Sequence, residues 1–532
     1  MKSFLISFFA IVALTLSARA SMDLTFDLSE FLVSGQPLTA NDLYITFAGA
    51  TSDMVYNEGG PGEESIDFSG SQINYGGTNY TTSKSYSIAD INANGLKINS
   101  ATSILAYISY GSKTGFEQLS SGNPAFLDPS LTRFSQFEFS YSAGGTGGGI
   151  DMTNISQYGG SLRVETLDAG NTVQSFISNG NNLSTGEMFQ RLAIASGFAS
   201  NAVYTQGGKY SRIIGSNVLA TNNPYHRFNQ YIQSLGTGSP VLPNQIYNLK
   251  PGAAPGGAGS IGITSVASPG SGKGVVGNST YNINYSYSAN ITQVLAPGDN
   301  PEFPDGTYQI ELTGIVSAIP AAGGATIEYT GQTITIQADS PSQDYMTNFI
   351  YLQSIASGVN MAGWADLIAD FGAANVQAAI QEKIAGDFAQ AIAAGFAGSA
   401  TMVDKGGSSV ALGSLTTAEW FDLYNQYAYS IAQPINEEYY NPFANEIYLN
   451  SPGYNTQTTG IGDGNFDYGS VYGTPYDDRF SLNLITPNTD TTALNVVLLP
   501  DGNLRFPGIP EPTSLILLLG AGVVFLTKCK SA

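Results

Sequence analysis

The chain has 532 residues, 19 Lys+Arg against 41 Asp+Glu, a net charge of −22, and only 11% charged residues against 42% hydrophobic ones. With 31 Tyr and 27 Phe it is too aromatic and too weakly charged to be disordered over most of its length. Its acidity excludes duplex nucleic acid as a partner, because an acidic surface repels phosphate. Abundant glycine and tyrosine with little charge suit a secreted, β-rich protein.

At the N-terminus, Lys2 precedes the apolar run Phe4 to Leu16 and then Ala18-Arg19-Ala20. A basic start, a short apolar core and an A-x-A site read as a signal peptide over 1–20. The run is too short to span a bilayer comfortably. Residues 23–170 read as strands and turns: Leu24, Phe26 and Leu28 alternate with polar residues, and 43–47 and 104–108 are short β-prone runs. Gly-rich punctuation falls at 59–62, 76–77 and 144–149. Residues 187–235 look mixed, with a helix expected from Arg227 to Leu235. Residues 251–275, rich in Gly, Pro, Ala and Ser, read as a loop. Strands are expected at 280–294, 307–319 and 325–338. The period then changes. Val376, Ala379, Ile380, Ile384, Phe388, Ile392 and Phe396 follow a helical stripe, and Thr416-Thr417-Ala418-Glu419 has the form of a capping box opening a second helix toward Ile431. An α-containing region is thus expected over about 340–435, within a body spanning 21–505. Strand-like sequence returns at 470–474 and 480–499.

The C-terminus reads Pro510-Glu511-Pro512, an apolar run from Ser514 to Phe525, then Lys528 and Lys530. This resembles the PEP-CTERM sorting signal of Gram-negative envelope proteins, over 509–532. The resemblance implies transient membrane insertion through the terminal helix, an exosortase-type partner, and a location at the cell envelope, cell surface or extracellular matrix. Cys529, the only cysteine, lies in this tail. Residues 21–512 therefore hold no disulfide, and core burial must stabilise them.

His226 is the only histidine, so zinc sites of the usual His/Cys kind are excluded, and no nucleophile-elbow motif surrounds it. Asp463-Gly464-Asn465-Phe466-Asp467 fits no complete EF-hand loop and reads as a solvated acidic turn. No cofactor or metal is expected. Carboxylates and aromatics remain, and these are the groups of carbohydrate chemistry. Cleaving a glycosidic bond takes one carboxylic acid to protonate the leaving oxygen and a second carboxylate to activate water or attack the anomeric carbon. In Phe134-Ser135-Gln136-Phe137-Glu138-Phe139-Ser140-Tyr141, Phe137 and Phe139 share one face of a strand and Glu138 takes the other. Asp151 follows a Gly-rich turn. If the two strands are neighbours, the carboxylates face one another. Surface carboxylates on strands are common, so the pattern alone does not decide.

Phe137-Glu138-Phe139, followed by Asp151-x-Thr153-x-Ile155-Ser156-x-Tyr158-Gly159, resembles the thaumatin-like fold and, more closely, the bacterial β-1,3-glucanases of glycoside hydrolase family 64. Tyr210 to Ser216 is similar to the family's Arg-containing strand, Asn441 to Tyr448 to its Asn-Pro-[YF]-Ala segment, and Val471 to Asp478 to its closing Tyr-x-x-Pro-Tyr-Asp-Asp motif. The resemblance implies a mainly β protein: a thaumatin-like β-sandwich, a second mixed α/β region, and a wide acidic groove for β-1,3-glucan between them. It implies inverting hydrolysis with Glu138 as general acid. The family's base position is Ser156, which cannot serve unassisted near neutral pH. Either Asp151, or Asp477 or Asp478 from the closing motif, supplies the base, or the groove binds glucan without cleaving it. Arg212, Tyr472, Tyr476, Asp477 and Asp478 are candidates for substrate binding, with Arg212 alternatively a structural cation. Trp420, in a helical setting, reads as core rather than a sugar platform. The alternative is a non-catalytic glucan-binding or structural matrix protein.

Overall fold

The structure is a computed structural model. It describes residues 21–32, 38–49, 51–75, 78–113, 133–142, 148–180, 183–215, 224–225, 441–454, 469–471, 473 and 485–507, together with Ser408 and the backbone of strands at 281–295, 307–320, 327–337, 350–355, 401–403, 409–411 and 465–466. The N-terminal part contributes β1 Met22–Asp27, β2 Leu43–Gly49, β3 Thr51–Tyr56, β4 Glu64–Ser65, β5 Gln72–Tyr75, β6 Thr78–Ser87, β7 Leu96–Tyr110, β8 Arg133–Ser142 and β9 Gly149–Asp151. β10 Gln157–Tyr158, β11 Leu162–Asp168, β12 Val173–Ser178, β13 Val203–Gln206 and β14 Lys209–Ile214 follow. The middle holds β15 Tyr281–Leu295, β16 Thr307–Pro320, β17 Ile327–Gln337, β18 Ile350–Ile355, β19 Thr401–Val403 and β20 Ser409–Ala411. The C-terminal part adds β21 Gly453–Tyr454, β22 Asn465–Phe466 and β23 Thr491–Leu498. Among the described residues four α-helices punctuate these strands: α1 Ser29–Leu32, α2 Ile88–Asn94, α3 Thr185–Ala195 and α4 Pro442–Leu449.

The protein is mainly β. One mixed sheet has 14 strands, and smaller sheets have three, four and two. Its longest path runs β22-β21-β12-β11-β23-β1-β7-β2-β6-β5, with β3, β4, β8 and β9 attached through β7 and β8. β7 is the hub. Its fifteen residues pair with β1, β2, β3 and β8. The register slips between Ala101 and Ile104, where Ser103 takes φ 47° and donates its N–H to Ser140 Oγ at 2.8 Å. β1 and β23 run parallel, pairing Phe26 with Val496 from opposite ends of the chain.

The core follows the alternation of the strands. Leu24 and Phe26 of β1, Leu43, Ile45 and Phe47 of β2, and Phe137, Phe139 and Tyr141 of β8 enter one large apolar cluster. A smaller cluster of Ala48, Ile73, Tyr80, Leu105, Tyr107 and Phe134 forms beside it. Strands β15, β16 and β17 fall where the sequence predicts them. Of the region about 340–435, only Ser408 and the short strands β18, β19 and β20 are described; its expected helices lie outside the described residues, as do the helix at 227–235, the loop at 251–275 and both terminal signals. Among the described residues no helix is long and apolar enough to cross a membrane. Of residues 470–474, where strand-like sequence returns, only Ser470, Val471 and Gly473 are described, and these three are not in a strand; a Cβ on Gly473 would lie 3.0 Å from the Ala444 backbone of α4.

Candidate active site

β8 places its aromatics and its acid on opposite faces. Phe137 and Phe139 stack at 5.9 Å between ring centres on the core side, while Phe134, Gln136, Glu138 and Ser140 share the other face by strand period. Glu138 is directly opposite Leu105 of β7 on one side and Asp151 of β9 on the other. Directly opposed residues in antiparallel strands hold their Cβ atoms about 4.5–5.5 Å apart. Glu138 is only 3% exposed, whereas Asp151 keeps partial access to solvent. Glu138 Oε2 and Asp151 Oδ1 are both buried and meet no hydrogen-bond donor among the described residues.

Such a pair disfavours two negative charges. Burial first, and the Asp151 charge second, push the Glu138 carboxyl well above the usual carboxylate range. Burial also raises Asp151, to about 7. Near neutral pH the pair therefore holds a proton, which belongs to the dyad rather than to one residue. Leu105 contributes by filling Glu138's other flank with hydrocarbon.

The turn carrying Asp151 is tied to β8. Ile150 and Ile485 exchange backbone hydrogen bonds at 2.8 and 3.0 Å. Gln136 Nε2 donates to the Thr153 carbonyl at 3.4 Å, and Gln157 Nε2 donates to the Phe134 carbonyl at 3.3 Å. Asn154 donates to the Gln157 carbonyl at 3.0 Å and accepts from Asn179 Nδ2 at 3.0 Å. Glycine is obligatory at Gly159, where a Cβ would stand 1.7 Å from the Phe134 carbonyl oxygen. On the other flank of β8, Arg133 pairs with Asp501 through both terminal nitrogens, lies 4.1 Å from the Tyr110 ring centre, and donates Nε–H to the Gly159 carbonyl at 2.7 Å.

Of the residues singled out in the sequence, Glu138 and Asp151 are brought face to face. Ser156 is buried before β10, where its carbonyl accepts the Gly215 N–H at 2.8 Å. Arg212, on β14, is fully buried, with its guanidinium 5.2 Å from the Phe134 ring centre and 5.8 Å from that of Tyr204. It stands along the Glu138 face of β8, at the Phe134 end. Tyr472, Tyr476, Asp477, Asp478, His226 and Trp420 lie outside the described residues. Leu105 and Gln136 escaped sequence reasoning; the alternation that placed Glu138 also puts Gln136 on its face, whereas Leu105 depends on long-range register. Among the described residues no three of His, Cys, Asp and Glu gather as metal ligands.

No family model matches this chain, and no curated protein does. Solved structures similar to it are β-1,3-glucanases of glycoside hydrolase family 64. The β-1,3-glucanase domain from Clostridium beijerinckii has a TM-score of 0.41 and 12% identity, covering 91% of this chain and 100% of that one. A laminaripentaose-producing β-1,3-glucanase in complex with laminaritetraose has a TM-score of 0.36 and 13% identity, with the same coverage. A laminaripentaose-producing enzyme from Paenibacillus barengoltzii has a TM-score of 0.26 and 16% identity, covering 41% of this chain and 54% of that one.

Proposed function

We propose that this protein binds and hydrolyses β-1,3-glucan, with Glu138 as the general acid and Asp151 as the second carboxylate. One observation carries the reading: Glu138 and Asp151 are direct cross-strand partners in a desolvated site. Burial raises both carboxyls, so the pair keeps a proton near neutral pH, which a general acid needs in order to donate to the leaving oxygen, and the resemblance gives that role to Glu138. Ser156 has no acid–base role in this scheme; Asp151 takes the task that serine cannot perform. The substrate class comes from the order of motifs along the chain, in which the proteins resembled act on β-1,3-glucan. On the same reading the body is a thaumatin-like sandwich with a groove, to which Arg212, Tyr472, Tyr476, Asp477 and Asp478 belong. The two terminal segments export the chain and sort it to the cell surface of a Gram-negative envelope.

The test is release of reducing ends from laminarin by the full chain and by Glu138→Gln. Activity in the first and its loss in the second supports hydrolysis. Retardation in a laminarin affinity gel without activity supports the second reading, a glucan-binding matrix protein. The near-complete burial of Glu138 favours that alternative.

A further inference from the structure

Asp151 is held by its backbone rather than by its carboxyl group. The β8–β9 ladder ends at the Glu138–Asp151 pair, and Asp151 Oδ1 meets no donor among the described residues. What fixes Asp151 is therefore whatever fixes the segment leading from β9 to β10. Its buried joint is Asn154. The Asn154 Nδ2 donates to the Gln157 carbonyl at 3.0 Å, closing the turn on itself, and Oδ1 accepts from Asn179 Nδ2 at 3.0 Å. Asn179 follows directly after β12. The same Nδ2 donates to the Gly160 carbonyl at 3.2 Å, and Asn179 Oδ1 accepts the Leu162 N–H at 2.6 Å. Both asparagines are 1% exposed. Rotating the Asn179 amide by half a turn would set its oxygen against two others, so the network admits one arrangement. A buried amide is costly unless its bonds are made. Here they are made, and they join three segments: the Asp151 turn, the β10–β11 connection and the end of β12. Apolar side chains could fill the same space without fixing a direction.

We propose that Asn179 is a positioning residue of this site: through Asn154 it sets the turn that carries Asp151, and so the placement of that carboxylate against Glu138. The role it serves rests on the functional reading above. Asn179 acts through Asn154 and the backbone, not on the substrate. Losing its amide leaves Asn154 Oδ1, the Gly160 carbonyl and the Leu162 N–H without the bonds it now makes to them. The turn then relaxes toward whatever partners it can find, and Asp151 moves with it.

The experiment compares the full chain with Asn179→Leu, which is close in size and lacks the amide. Asn92→Leu is the matched control, because Asn92 likewise bonds a backbone N–H and carbonyl, those of Phe26 at 3.1 and 2.9 Å, far along the chain from the site. Two quantities are read: kcat and KM on laminarin, and the titration of the Glu138 and Asp151 carboxyl carbons by ¹³C NMR. Asn179→Leu should lower kcat by about tenfold or more with KM unchanged within about twofold. It should also bring the two titration steps of the pair closer together, because a displaced Asp151 charge acts less on Glu138. Asn92→Leu should lower the melting temperature and move neither quantity. Asn179→Ala gives the same reading should the leucine variant fail to fold. An Asn179 variant that melts lower but keeps kcat and both titration steps overturns the proposal and leaves hydrolysis standing. A parent chain inactive on laminarin overturns the enzymatic reading; titration steps that still close up in Asn179→Leu then uphold the positioning, and unchanged steps overturn it as well.

Discussion

At the scale of single residues, Glu138 is a buried acid whose ionisation works against the fold. Its folded pKa is raised, so the folded chain binds a proton that the unfolded chain has released. For a raised acid, stability is greatest below the unfolded value, about 4.3, and falls as pH climbs toward the folded one. Glu138→Gln, which removes the titrating group but keeps the shape, should therefore stabilise the protein by about 1–3 kcal/mol near neutral pH, since the raised acid loses up to about 1.4 kcal/mol per pH unit above its unfolded value. It should give little gain near pH 4. Urea titrations at the two pH values check this, and equal effects at both would contradict the assignment. Arg133 and Asp501 are the opposite case, a buried pair satisfied on both sides. Arg133→Met strands Asp501 and should destabilise by about 3–5 kcal/mol, measurable in the same titration.

At the scale of elements, local signals and long-range ones separate cleanly. The Phe-Glu-Phe alternation of β8 was enough to place Glu138 opposite the core face, because strand period is a property of the backbone. That Asp151 becomes its partner depended on a turn whose length sequence does not reveal. α3 was legible and overlooked: Ser184 and Glu187 form a reciprocal capping box, with Ser184 N donating to Glu187 Oε2 at 2.8 Å. Ser184→Ala should cost about 1 kcal/mol, seen as faster amide exchange in the first turn of α3. α4 likewise announces itself through Asn441 as cap and Pro442 in the first turn. Gly159→Ala should drive β8 and β10 apart, lowering the melting temperature and disturbing the Asp151 turn. A variant with unchanged melting would contradict that packing.

At the scale of the molecule, the two ends of the body close the main sheet. β23 lies between β1 and β11, hydrogen-bonded to both, so no N-terminal segment completes the sheet alone. Nothing in the local sequence of Met22–Asp27 forecasts a parallel partner near residue 495. A chain ending before Thr491 should leave β1 and β11 each with one unpaired edge and fail to accumulate as soluble protein, and a soluble, cooperatively unfolding truncation would contradict this architecture. The same closure anchors Asp501 against Arg133 at the start of β8, the strand that carries Glu138, so the integrity of the sheet and that of the candidate site are linked. The most direct test of the central claim, that Glu138 and Asp151 act as one pair, is a double-mutant cycle in kcat/KM on laminarin with Glu138→Gln, Asp151→Asn and both together. The account predicts that each single change removes about 10²–10⁴ in rate and that the double variant is scarcely worse than the poorer single one. Single variants that hydrolyse laminarin like the parent chain would contradict it.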